Sequence, residues 1–220
     1  MARDGAVARP GAQRWVPARP ALPALRSALH ECRGCELYRD ATQAVFSTGR
    51  TAARLMLVGE QPGDREDLAG RPFVGPAGRL LDEAIEAAGL VRGELYLTNA
   101  VKHFRFEERG KRRIHKTPDV PHIVACRPWL EAELAAVRHA VIVCLGAVAA
   151  RAVFGKPMRI TAERGKVLEA GDRIAVVTTH PSAVVRLHGD PDFPQAFDAL
   201  VHDLVVAAEA ASNAVPVSKE

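Results

Sequence analysis

Apolar residues fall along this chain in two alternating rhythms. Residues 53–58, 95–98, 140–145 and 174–178 are near-continuous apolar runs, the first stopped by Gly59 and the third by Gly146. Runs of that length, bounded by glycine or polar residues, predict buried strands. Residues 167–168 add weaker strand material. Residues 22–31, 77–88, 123–137 and 197–210 instead repeat their apolar positions at helical spacing, as Leu80, Leu81, Ala84 and Ile85 do before the stop at Gly89. An alanine-rich stretch after Gly146, through Val153, reads as a further helix, and Pro118 and Pro121 stand before the helix near Ile123. Strands that alternate with helices and are apolar throughout predict a three-layer α/β/α fold with a central, largely parallel four-stranded sheet. Ligands of such sheets bind beyond the carboxyl ends of the strands. That rule selects residues 59–78, residues 99–117 and His180-Pro181-Ser182.

Composition adds limits. The 220 residues suit one domain, and 48% apolar with 25% charged residues is an ordinary globular balance. No apolar run approaches the roughly 18 residues of a membrane span, and residues 1–23 lack a secretory apolar core. Residues 1–21 and 211–220 read as flexible tails around a domain at 22–210, with a monomer as the default. The Arg-rich first tail would add nonspecific DNA affinity. Lys and Arg exceed Asp and Glu by four. The excess is concentrated between Lys102 and Lys116, where Arg105, Arg109, Lys111, Arg112 and Arg113 face only Glu107 and Glu108. Such a loop serves a phosphate backbone or is simply solvated, and charge alone does not separate the two. Four cysteines without an export signal argue against a disulfide framework. Cys144 sits inside an apolar run and acts there as a small hydrophobe, which leaves Cys32, Cys35 and Cys126 to explain.

Residues 59–78 carry five glycines and three prolines, a shaped turn rather than a slack linker. Glu60, Gln61 and Asp64 place two acids and an amide at that strand end, and Phe73 offers a flat ring for stacking. Asn99, at the end of the next strand, can donate and accept at once, which suits the edge of an amide-bearing base or a plain turn. His180 can bond a ligand carbonyl, while Ser182 suits a helix cap.

The segments 59–63, 75–78, 97–102 and 180–182, in that order and spacing, resemble the iron–sulfur uracil-DNA glycosylases of the type called family 4. The resemblance covers roughly residues 22–210. This chain departs from that family's pattern with Gln61 in place of Ala, His103 in place of Cys, and the added run Lys111-Arg112-Arg113-Ile114-His115. All three departures resemble the UdgX branch, whose members become irreversibly bonded to uracil-containing DNA. The resemblance implies a [4Fe–4S] cluster held by Cys32, Cys35, His103 and Cys126; zinc on the same Cys3His set is the competing reading. It implies uracil on Phe73, with Asn99 at its edge and His180 at O2, and DNA held by Lys102, Lys111, Arg112, Arg113 and Ser182. His115 would attack the sugar, with Glu60, Gln61 and Asp64 in support. The implied partner is uracil-containing DNA, preferably single-stranded because no base pair need open, with free uracil as product. The implied setting is the bacterial cytoplasm, at the nucleoid. A turning-over glycosylase, or a single-strand nucleic-acid binder without chemistry, are the alternatives.

Overall fold

The structure is a computed structural model and describes residues 9–214; residues 1–8 and 215–220, the outer parts of the two expected tails, lie outside it. Four parallel strands lie in the order β2 (Tyr96–Asn99), β1 (Leu55–Gly59), β5 (Val141–Leu145) and β7 (Arg173–Thr178). The expected sheet has four strands; a fifth, β6 (Val167–Ala170), pairs antiparallel with β7 at one edge. It was legible only as two apolar residues, because an edge strand is buried on fewer sides and its other positions are polar. A separate hairpin, β3 (Phe106–Arg109) with β4 (Arg112–His115), occupies the stretch expected to be a loop. It turns through Gly110, whose φ of 61° is left-handed.

Side chains alternate across each strand and divide the core in two. Met56, Val58, Tyr96, Ile142, Cys144, Ala175 and Val177 face α1 (Leu22–Leu29), α4 (Val120–Ala136) and α5 (Ala147–Phe154). Leu55, Leu57, Leu97, Val141, Val143 and Val176 face α3 (Pro76–Ala87), α7 (Pro181–Val185) and α8 (Phe193–Asn213). Two short helices, α2 (Asp64–Ala69) and α6 (Ile160–Glu163), complete the α-helices among the described residues. Among the described residues no helix is long and apolar enough to cross a membrane.

Helix α4 begins at Val120 rather than near Ile123, because the Asp119 N–H finds a side-chain acceptor in His122 Nδ1 at 3.1 Å. The other nitrogen of His122 meets Glu36 at 2.9 Å, and Glu36 is paired with Arg9. The Ala12 N–H donates to Ala125 O at 2.8 Å and Ala12 is buried. Residues 9–21 are therefore laid on the domain, not loose beside it. At the other end α8 runs on to Asn213, past the expected boundary at 210.

Candidate functional site

Register brings the ends of β1 and β2 together, with Gly59 opposite Asn99. The chain leaving β2 then folds over the chain leaving β1: the Ala100 N–H donates to Gly59 O at 2.9 Å and the Val101 N–H to Glu60 O at 3.0 Å. Gly59 has no room for a side chain, since a Cβ there would lie 2.3 Å from Asn99 Oδ1 and 2.7 Å from Phe73 Cζ. The glycine thus lets the expected ring and the expected amide meet on one floor. Phe73 takes a φ of 56°, the left-handed region that a bulky residue avoids. Neighbours hold it there. Glu66 accepts from the N–H groups of Val74 at 3.0 Å, Gly75 at 2.7 Å and Gly63 at 3.1 Å, and Arg92 donates to Phe73 O at 3.2 Å. Gly78 is equally constrained, because a Cβ would lie 2.1 Å from Phe73 O.

His180 caps α7. Its Nδ1 accepts from the Ser182 N–H at 3.1 Å and meets Ser182 Oγ at 2.8 Å. Nδ1 as acceptor leaves the proton on Nε2, so the neutral ring presents one donor. Burial first, then His115 and Arg186, pull its pKa down to about 4. Ser182 therefore orients His180 and is not a free phosphate ligand.

His115, the last residue of β4, is half-exposed, with Nε2 3.4 Å from Glu60 Oε1. Oε1 is buried without a hydrogen-bond partner. Burial raises the Glu60 pKa to about 7 against the pull of the neighbouring Thr117 hydroxyl. Burial and the charge of Arg186 lower that of His115, with Glu66 opposing. The pair is thus a carboxyl that holds its proton near neutrality beside an imidazole that stays uncharged.

Gln61 and Asp64 serve the hairpin. The Gln61 amide donates to the backbone oxygens of Arg105 and Lys116, both at 3.1 Å, and accepts from the Arg105 N–H at 3.0 Å, so it clasps both ends. Arg113 donates to Asp64 at 2.6 Å and to Asp67 at 2.7 Å, and its guanidinium also lies over the rings of Phe104 and Phe106. Arg113 is thus braced between two aspartates, and Asp64 is engaged by Arg113. Lys111 and Arg112 are exposed beside them.

Lys102 corrects the expectation most sharply. It is fully buried in an ion pair with Glu133 and cannot meet DNA. Its place within a run of basic residues hid this, since spacing does not show which lysine turns inward. Arg186, Thr117, Glu66 and Glu133 were not singled out; Glu66 and Thr117 lie inside the selected segments 59–78 and 99–117, whereas Arg186 and Glu133 lie outside all three.

Cys32, Cys35 and Cys126 share one core cluster, and each sulfur has an N–H aimed at it. Trp129 Nε1 serves Cys32 at 3.2 Å, the Lys102 N–H serves Cys126 at 3.3 Å, and the Leu37 backbone serves Cys35. Burial nevertheless pushes Cys35 up to about 11 and raises Cys126. Cys144 is raised by burial alone, with no such donor. His103 is buried near Arg33, and burial lowers it to about 4. Among the described residues no three His, Cys, Asp or Glu side chains close to the spacing of one metal ion's shell.

The chain is 38% identical to a type-4 uracil-DNA glycosylase of Archaeoglobus fulgidus over 70% of its own length and 78% of that protein's. It is 36% identical to a type-4 uracil-DNA glycosylase of Thermotoga maritima, over 71% and 79%. A third, from Pyrobaculum aerophilum, is 33% identical over 75% and 85%. The family model for the uracil DNA glycosylase superfamily matches residues 46–205. That span holds all three strand-end segments, and the chain belongs to the uracil DNA glycosylase superfamily.

Proposed function

We propose that this protein excises uracil from DNA and then bonds its own His115 to the sugar, as in the UdgX branch. The observation that carries the second step is the approach of His115 Nε2 to within 3.4 Å of a buried Glu60 oxygen with no hydrogen-bond partner. Uracil would stack on Phe73 with Asn99 at its edge, and the Nε2–H of His180 would take the charge that grows on O2. As the bond from C1′ to uracil breaks, its electron pair leaves on uracil. A neutral ring nitrogen of His115 supplies the pair for the new bond to C1′. The proton that the alkylated ring sheds passes to the Glu60 carboxylate. The bond from ring nitrogen to C1′ has no built-in second step to break it, so the adduct persists. Lys111 and Arg112 would hold the strand by its phosphates.

The three buried cysteines with their N–H donors fit thiolate ligation of a [4Fe–4S] cluster, completed by His103; N–H groups on sulfur stabilise the charged form such clusters need. The cluster would supply a cross-link between the residues after α1, the chain after β2 and α4. An absorbance near ~400 nm with stoichiometric iron is expected; a colourless protein carrying zinc overturns this assignment.

Similarity to type-4 enzymes favours a second reading, ordinary turnover with His115 as a bystander. One experiment decides. The protein is incubated with a uracil-containing single-stranded oligonucleotide and run on a denaturing gel. A band that survives heat and detergent is expected, whereas abasic product in excess of protein supports turnover. His115→Ser should release uracil and form no adduct, because water then reaches the sugar; an adduct that persists in this variant removes His115 from the chemistry.

A further inference from the structure

Lys102 and Glu133 form an ion pair with no exposed side-chain surface. The Lys102 ammonium also donates to Thr98 Oγ1 at 2.6 Å and to the backbone oxygen of Asn99 at 2.9 Å, which uses all three of its N–H bonds. The Glu133 carboxylate accepts from Thr98 Oγ1 at 3.0 Å and from the Tyr96 hydroxyl at 3.0 Å. Tyr96 meets Ser47 Oγ at 2.5 Å, and Ser47 O accepts from Arg26 of α1 at 3.0 Å. One network of hydrogen bonds therefore runs from α1 through α4 to the residue expected to read the base.

A buried charge pair is a poor source of stability, since well-packed apolar residues in its place are often as good or better. Its value lies in direction: two opposite charges fix a donor where an apolar pair fixes none. We propose that Lys102 is a positioning residue for base reading, its ammonium neutralised by Glu133 and gripping the Asn99 carbonyl so that the end of β2 presents the Asn99 amide at a set angle. The Lys102 N–H on Cys126 Sγ anchors the same residue to α4. The proposal rests on the uracil reading only for the identity of the base.

The test compares wild-type protein with Lys102→Met/Glu133→Met, which removes both charges together, and with Thr98→Val, which deletes the hydroxyl between them. Hydrogen exchange at the Ala100 and Val101 amides reports the strand end directly, because both bond back to the β1 side. Single-turnover release of uracil against cytosine reports base reading. In the double variant those two amides exchange about tenfold faster while β5 and β7 are unchanged. Uracil release falls about tenfold, the worth of one charge-assisted hydrogen bond, and the preference for uracil over cytosine narrows. Thr98→Val moves each measurement the same way by less. A folded double variant with wild-type exchange at residues 100–101 and wild-type selectivity overturns the proposal. Should that variant not fold, Thr98→Val alone decides, and unchanged exchange and selectivity there overturn it equally. Wild-type protein that releases no uracil defeats the uracil reading instead, and the exchange measurement then judges the positioning role by itself.

Discussion

Glu60 and His115 are a pair whose chemistry is set by burial more than by charge. Bond formation needs an uncharged imidazole and a carboxylate able to take its proton. His115, lowered from its ordinary value, meets the first condition across neutral pH, so on the proposed mechanism the Glu60 titration near 7 would control the rate. Adduct formation should therefore rise as pH increases through about 7 and then level, and Glu60→Gln should be slow and flat over the same range. Single-turnover rates across pH check this; a wild-type rate already level below pH 6 contradicts it. The same shift has a stability sign. The folded state holds the Glu60 proton more tightly than the unfolded chain, so stability is lost as pH rises from 4.5 to about 7. Glu60→Gln removes that cost and should stabilise the protein by up to about 3 kcal/mol above the window, and by little below it. Denaturant melts at the two ends of the range measure the difference.

The hairpin is the element on which the proposed covalent step depends. It has no large core of its own; Gln61 clasps its ends and Arg113 ties its second strand to Asp64 and Asp67. Gln61→Ala should therefore leave uracil release intact while adduct gives way to free abasic product, because His115 is no longer held in place. Quantifying both products on one gel separates the effects, and equal loss of both would place Gln61 at the base instead. Lys111 and Arg112, exposed at the turn, would on this proposal act on DNA only through charge. Replacing both with serine should lower the slope of log affinity against log salt by about 1.4 on single strands, with uracil selectivity unchanged.

At the scale of the whole molecule the N-terminal segment is part of the domain. Arg9, Glu36 and His122 form a bonded chain, and Ala12 is buried against α4. Deleting residues 1–16 should lower the melting temperature by about 5 °C, as the loss of roughly 2 kcal/mol does in a protein of this size. Calorimetry that finds no change would return this segment to the status of a tail.

The four parallel strand runs, the longer helices between them and the three segments beyond the strand ends were legible in the chain, because burial on both faces writes continuous apolar runs and glycine writes where backbones must approach; the hairpin and the short helices were not. Phe73, Asn99, His180 and Glu60 were candidates by residue type and resemblance together, and His115 by resemblance alone. What each basic residue does was decided only by tertiary structure. Lys102 and Arg113 belong to the same run as Lys111 and Arg112, yet one is buried against Glu133 and another bridges two aspartates. The partners that turn them inward lie 31, 49 and 46 residues away along the chain. Local pattern records how a residue sits on its own element, whereas pairing over such separations exists only once the sheet and α4 have brought the elements together. The pair at the centre of the proposal, His115 beside Glu60, is of the same kind: the chain supplied both residues, and the hairpin folded over the end of β1 made them neighbours.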